Sequence, residues 1–189
     1  MNKGTLFVLS GPSGVGKGTV LDKLLNKYNN INYSVSATTR KPRPEEVDGE
    51  DYFFISREEF IEKKDKGKFI EWAKVHDNFY GTPKDYVNQC LENGEDIILE
   101  IDIQGARQVK RNYPSAVFIF LVPPSLMELE KRLNKRGSEK DSTKELRLKN
   151  AKTEIKEQIH YDYKVINDDL HTAVKRLQEI IEFEKGRDD

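Results

Sequence analysis

Nine residues near the N-terminus, Gly11-Pro12-Ser13-Gly14-Val15-Gly16-Lys17-Gly18-Thr19, constrain the fold more than any other stretch of the chain. The run Thr5-Leu6-Phe7-Val8-Leu9 before them is apolar, β-branched and aromatic, and reads as a buried strand. Val20, Leu21, Leu24, Leu25 and Tyr28 follow at the spacing of one helix face. Strand, glycine loop, lysine and helix make the setting that a phosphate-binding loop requires. Glycines let the backbone turn its N–H groups inward onto phosphate oxygens. The helix N-terminus adds partial positive charge, and Lys17 adds a full one. A glycine-rich turn that merely joins strand to helix needs neither the lysine nor both flanking elements in register. The loop is therefore read as holding a nucleotide phosphate.

The usual pattern G-x-x-x-x-G-K-[ST] is broken at one place: position 18 is Gly, and the hydroxyl comes one residue late at Thr19. That hydroxyl ordinarily reaches Mg²⁺ directly. Here the metal is expected to be held mainly by phosphates and water.

Composition bounds the rest. The 189 residues suit one α/β domain with insertions. With 32 basic and 33 acidic residues the chain has no global attraction for nucleic acid or an anionic membrane. The single cysteine, Cys90, excludes an intramolecular disulfide and a cysteine zinc site, and its spacing from Val87 and Leu91 suits a small buried residue. No apolar stretch reaches the roughly 18 residues of a membrane span, and the N-terminal run lacks a signal peptide's cleavage pattern. The expectation is a soluble, cytoplasmic protein.

Short strands alternate with helical stretches, which predicts a mostly parallel sheet with helices on both faces. Ile31 to Ala37 reads as a strand, Thr38 to Asp51 as a polar loop, and Tyr52 to Ile55 as a strand again. Ser56 and Glu59 form a capping box for a helix that Gly67 stops. Phe69 to His76 reads as strand, Asp77-Asn78 as a turn and Phe79 to Gly81 as a short extended piece. Thr82-Pro83 then reads as the cap and first position of a helix ending near Asn93-Gly94. Residues 38–93 thus look like an insertion of short antiparallel pieces.

Ile97 to Ile101 is a strongly apolar strand ending at Asp102, and Ala116 to Val122 is another. Ser125 and Glu128 box the start of a helix reaching about Asn134. The run Lys135 to Lys144 is rich in charge and expected to be exposed and mobile. Leu148, Ala151, Ile155 and Ile159 form a helical stripe, Lys164 to Asn167 a short strand, and Ala173, Val174, Leu177, Ile180 and Ile181 the inner face of a last helix.

The polar loop supplies Ser36, Arg40 and Arg43, with Tyr52 beyond. Two arginines and a tyrosine can hold one phosphate through charge-assisted bonds; on spacing alone the arginines read rather as ordinary solvated surface charges. Their company settles the matter. Ser34-Val35-Ser36-Ala37-Thr38-Thr39-Arg40-Lys41-Pro42-Arg43 and Asp48-Gly49-Glu50-Asp51-Tyr52 resemble guanylate kinases. So do Phe69-Ile70-Glu71-Trp72, Tyr80-Gly81-Thr82 and Ile101-Asp102-Ile103-Gln104-Gly105, in matching order over about residues 4–185.

The resemblance implies one guanylate-kinase-like domain over 1–189. A parallel-sheet phosphate-loop core (1–37, 94–124 and 161–189) would carry a GMP-binding insert at 38–93 and a helical lid at 125–160. Arg40, Arg43, Tyr52 and Tyr80 would hold the GMP phosphate, Glu71 the guanine N1–H and amino group, and Ser36, Thr82 and Asp102 the rest of the guanine pocket. The nine loop residues from Gly11 to Thr19 would bind ATP, with Asn167 at the adenine. Lys17 and the lid arginines Arg132, Arg136 and Arg147 would neutralise the transferring phosphoryl group. Thr19 and Asp102 would reach Mg²⁺ only through water, and no direct metal ligand is assigned.

The implied reaction is ATP + GMP giving ADP + GDP, extending to dGMP, in purine nucleotide metabolism. The implied partners are these small molecules, without nucleic acid or membrane, for a monomer or small homo-oligomer. The implied motion swings insert and lid inward over the substrates. A non-catalytic scaffold module of the same fold would typically lack Lys17 and the lid arginines. A kinase for another acceptor would not need Glu71 with Ser36.

Overall fold

The computed structural model describes residues 3–75, 77–135 and 141–186, with the side chains of 135 and 141–147 outside the description. The elements run β1 (Leu6–Ser10), α1 (Lys17–Leu25), β2 (Asn32–Tyr33), β3 (Ala37–Thr38), β4 (Phe53–Phe54), α2 (Arg57–Asp65), β5 (Phe69–Val75) and β6 (Asn78–Pro83). They continue as α3 (Lys84–Glu92), β7 (Ile97–Glu100), α4 (Ile103–Asn112), β8 (Val117–Val122), α5 (Leu126–Lys135), α6 (Asp141–Lys156), β9 (Tyr163–Ile166) and α7 (Leu170–Lys185). A 3-10 turn at Glu157–His160 follows α6. The α/β class with a parallel sheet is as the sequence predicts. No helix among the described residues is long and apolar enough to cross a membrane.

The first sheet has the strand order β2-β7-β1-β8-β9. Its β2–β7, β1–β8 and β8–β9 pairs are parallel. Every residue of β1 and β8 is buried, which is why both read as unbroken apolar runs rather than alternating ones. The second sheet, β4-β3-β6-β5, is mixed: β3 and β4 are parallel, while β6 is antiparallel to both β3 and β5. The antiparallel pieces expected in the insert are therefore joined by one parallel pair.

The chain divides into two compact units. One comprises Met1–Leu6, Asn30–Leu99 and Gln104–Ala116, and holds the second sheet. There the Phe60 ring stacks on Phe69 and Phe79, with centroids 4.6 and 5.3 Å apart. Gly81 lies against this stack, and a Cβ there would sit 3.1 Å from Phe60 and Phe69. The other unit comprises Phe7–Asn29, Glu100–Ile103 and Val117–Asp189. In it Leu129, Leu133 and Ala151 form a buried cluster against Ile155, which ties α5 to α6.

Several local expectations hold in geometry. Ser56 Oγ accepts from the Glu59 N–H at 3.1 Å, and Ser125 Oγ accepts from the Glu128 N–H at 3.1 Å. Cys90 is buried beside Val87 on α3.

Others are corrected. The strand expected over Ile31 to Ala37 is two short ones, β2 and β3, because the chain leaves the first sheet after Tyr33 and enters the second at Ala37. Thr82-Pro83 does not open a helix: both residues belong to β6, and α3 starts at Lys84. The Thr82 hydroxyl is engaged by a buried carboxylate and does not cap. Ile159 leaves the expected stripe because α6 ends at Lys156; the 3-10 turn leaves Ile159 79% exposed. The helix expected after the charged run starts inside it, since α6 begins at Asp141; residues 136–140 of the run lie outside the described residues.

Candidate functional site

The phosphate loop is built by a chain that must bend between a buried strand and a helix. Gly14 and Gly16 take φ values of 80° and 95°, in the left-handed region where side chains are disfavoured. Gly16 is the residue before α1, so the helix N-terminus opens directly from the loop. Space is also tight at both positions. A Cβ on Gly14 would lie 2.6 Å from Leu133 Cδ2, and one on Gly16 would lie 2.8 Å from Asn167 Nδ2.

Side chains distant in sequence brace the loop. The Val15 carbonyl accepts from Asn167 Nδ2 at 2.8 Å and from an Arg132 guanidinium nitrogen at 3.3 Å. Arg132 also donates to the Asn167 carbonyl at 3.0 Å and to Glu128 at 3.1 Å. Asn167 is 7% exposed and Arg132 half-buried. Lys17 Nζ donates to the Gly11 carbonyl at 2.8 Å. The Ser13 N–H donates to the Glu154 carboxylate at 3.1 Å, so an acidic side chain from α6 lies on a loop amide. The carboxylate of Glu100, the last residue of β7, is 3.6 Å from where a Gly18 Cβ would be.

The other unit carries a second cationic cluster. Arg40 donates through two nitrogens to the two oxygens of Glu46, each at 2.8 Å. Its guanidinium lies over the rings of Tyr52 and Phe54, 5.4 and 5.7 Å from the centroids, and Tyr80 adds to the groups that favour its charged form. Tyr52 and Tyr80 meet edge to face at 6.1 Å. The hydrogen-bonded Glu46 carboxylate holds Arg40 more firmly protonated than usual, and Arg40 holds Glu46 below the ordinary carboxylate range.

The register of β3, β5 and β6 then places Glu71 and Thr82 side by side. The Thr82 hydroxyl donates to Glu71 Oε1 at 2.7 Å, and Glu71 is 4% exposed. A Cβ on Gly105 would stand 2.3 Å from Glu71 Oε2, so the start of α4 packs directly on the carboxylate. Gln108 of α4 clamps the same strand at two points, accepting from the Trp72 N–H at 3.2 Å and donating to the Trp72 carbonyl at 2.6 Å. A buried carboxylate in such a setting suits a ligand with paired donors.

Comparison with known proteins decides the family. The guanylate kinase family model matches residues 3–184. The chain belongs to the guanylate kinase family. It is 52% identical to a guanylate kinase of Latilactobacillus sakei over 98% of this chain and 92% of that one. Against a guanylate kinase of Clostridioides difficile the identity is 51%, covering 99% and 91%. The crystal structure of a guanylate kinase from Anaplasma phagocytophilum superposes with a TM-score of 0.81 at 38% identity, covering 97% of this chain and 87% of that one.

The residues singled out in the sequence fall into two groups. Ser36, Arg40, Arg43, Tyr52, Glu71, Tyr80 and Thr82 share one unit; Gly11 to Thr19, Asp102, Arg132 and Asn167 share the other. Arg43 is 65% exposed at its side chain and reaches Glu46 at 3.5 Å. Arg136 lies outside the described residues, as does the Arg147 side chain on α6.

Sequence reasoning missed Glu46, Glu100, Gln108 and Glu154. Glu100 carried a legible signal, a charge set within an apolar run; Glu46 and Glu154 sit in charged stretches with no signal of their own. Among the described residues no three His, Cys, Asp or Glu side chains cluster to hold a metal. The oxygen donors near the loop, Glu100 and Thr19, suit a hydrated hard cation shared with phosphates.

Proposed function

We propose that this protein transfers the γ-phosphoryl group of ATP to GMP, yielding ADP and GDP, with dGMP as an alternative acceptor. The observation carrying the acceptor assignment is the buried Glu71 carboxylate held by Thr82, in the same unit as the Arg40–Tyr52–Tyr80 cluster. Guanine presents N1–H and an amino group to such a carboxylate. Adenine presents a lone pair at N1 and nothing at C2, so AMP leaves a buried charge without its donors and is rejected.

Arg40, Arg43, Tyr52 and Tyr80 hold the acceptor phosphate, with Ser36, Thr82 and Asp102 completing the guanine pocket. The loop from Gly11 to Thr19 holds ATP. Asn167 offers its amide oxygen to adenine, and its amide nitrogen braces Val15. Lys17, Arg132, Arg136 and Arg147 neutralise charge as the phosphoryl group passes in line between oxygens. Positioning and electrostatics suffice, and no side-chain nucleophile is needed. Mg²⁺ bound with ATP would screen the phosphates, with Glu100, Thr19 and Asp102 ordering its waters.

We assign the core to 1–37, 94–124 and 161–189, the acceptor insert to 38–93 and the lid to 125–160. The enzyme would work in the cytoplasm as a monomer or small homo-oligomer in purine nucleotide metabolism, without a nucleic-acid or membrane partner. A coupled ADP-release assay across GMP, dGMP, AMP, UMP and ribose phosphates tests the reading. GMP and dGMP should turn over, and Glu71→Gln should cut the GMP rate constant kcat/KM by at least tenfold. Equal turnover of AMP, or an unaffected Glu71→Gln variant, would overturn the base assignment.

A further inference from the structure

We propose that Glu46 is a positioning residue that holds Arg40 and Arg43 in the geometry needed to receive the acceptor phosphate. The inference rests on the reading of Arg40 and Arg43 as the phosphate holders. It concerns a residue whose carboxylate bonds are to Arg40 and Arg43.

Glu46 lies in the polar loop between β3 and β4, where most residues are exposed, yet its side chain is only 10% exposed. Its carboxylate gathers three short bonds. Both oxygens accept from Arg40, and Oε2 also accepts from the Arg43 N–H, each at 2.8 Å. A weaker contact reaches the Arg43 guanidinium at 3.5 Å. The Glu46 N–H returns a bond to the Arg43 carbonyl at 3.1 Å, which closes the turn from both sides. One carboxylate thus fixes the Arg40 head group and the Arg43 backbone together.

A carboxylate in an arginine fork has two possible effects. It can occupy the seat a phosphate would take, or it can hold the fork still. The donor geometry selects the second. A guanidinium carries five N–H groups in one plane. The two terminal nitrogens of Arg40 face Glu46, and one of them also donates to the Lys41 carbonyl at 2.8 Å. The same guanidinium lies over the Tyr52 and Phe54 rings. Glu46 and Lys41 thus take three of the five N–H groups, and the remaining two are the donors left for a phosphate.

Charge points the same way. Two guanidinium groups repel when drawn together; one carboxylate cancels part of that repulsion and leaves a net positive pair for a dianionic phosphate. Holding the fork in advance removes side-chain ordering from the binding step.

The test is steady-state kinetics on the full chain with Glu46→Gln, Glu46→Ala and Glu46→Asp, run beside Arg40→Gln. For Glu46→Gln and Glu46→Ala the KM for GMP should rise at least tenfold, with kcat changed less than threefold and the KM for ATP unchanged. Glu46→Asp, which keeps the charge on a shorter arm, should recover part of the loss. A KM for GMP that stays level would overturn the inference, and one that falls would make Glu46 a competing anion instead. Equal damage to kcat, ATP binding and melting temperature would reduce its role to loop folding and also overturn it. If the Glu46 variants are silent while Arg40→Gln raises the GMP KM, the positioning role alone fails. If Arg40→Gln is silent too, the phosphate-site assignment fails and takes this inference with it.

Discussion

Replacing Gly105 by Ala should damage recognition of the acceptor base without unfolding the protein. A Cβ at this position in α4 would stand 2.3 Å from Glu71 Oε2 and 2.8 Å from its carboxyl carbon. An ordinary carbon–oxygen approach is about 3.3 Å or more, so the carboxylate must retreat by about 1 Å. It cannot do so for nothing, because Glu71 is 4% exposed and pinned by the Thr82 hydroxyl at 2.7 Å. A hydrogen bond to a charged group contributes about 1.5–3 kcal/mol. Losing one such bond to guanine, at about 1.4 kcal/mol per decade, lowers kcat/KM for GMP by roughly ten- to a hundredfold. Meanwhile Ala is favoured over Gly inside a helix by about 1 kcal/mol, which offsets much of the strain, so the melting temperature should move little. The assay is ADP release with GMP varied at saturating ATP, beside a thermal melt. In a Glu71→Ala background the clashing group is gone, and Gly105→Ala should add no further loss. A single variant with kcat/KM for GMP within twofold of the parent would refute the reasoning.

Two further outcomes follow from the same geometry. Glu154→Gln removes the negative charge resting on the Ser13 amide; the KM for ATP should fall about two- to fivefold, as expected for loss of a surface-range electrostatic interaction, and a rise would show that the contact supports the loop instead. Burial pushes the Cys90 thiol, and the Tyr86 and Tyr113 hydroxyls, above their ordinary values. These groups ionise more readily unfolded, so the stability they contribute is complete below the unfolded thiol value of about 9 and is lost as pH rises beyond it. Melting temperature should therefore decline above about pH 9, less steeply in Cys90→Ala, and native Cys90 should resist alkylation; rapid labelling of the folded protein would contradict its burial.

Much of the frame was legible because its causes are local. Gly14 and Gly16 are read from the sequence as loop glycines and take the left-handed φ values that such a loop needs. Ser56 and Ser125 are read as caps and accept the N–H three residues on. The apolar runs of β1 and β8 are read as strands, the first as a buried one, and both are wholly buried. One failure arose where a polar side chain had a distant claim on it. Thr82 looked like a helix cap because Thr-Pro commonly is one, but the carboxylate eleven positions away engages its hydroxyl and the chain stays extended through Pro83.

The sequence alone determined the phosphate loop, the alternation of strands and helices, and through its motifs the family, since backbone preference and apolar periodicity act over a few residues. Tertiary structure alone decided that Glu71 is buried against Thr82 and Gly105, that Glu46 holds two arginines, and that Asn167 braces Val15 from 152 residues away. The physical reason is that a polar group tolerates burial only when partners meet it, and those partners come together only when the chain has folded.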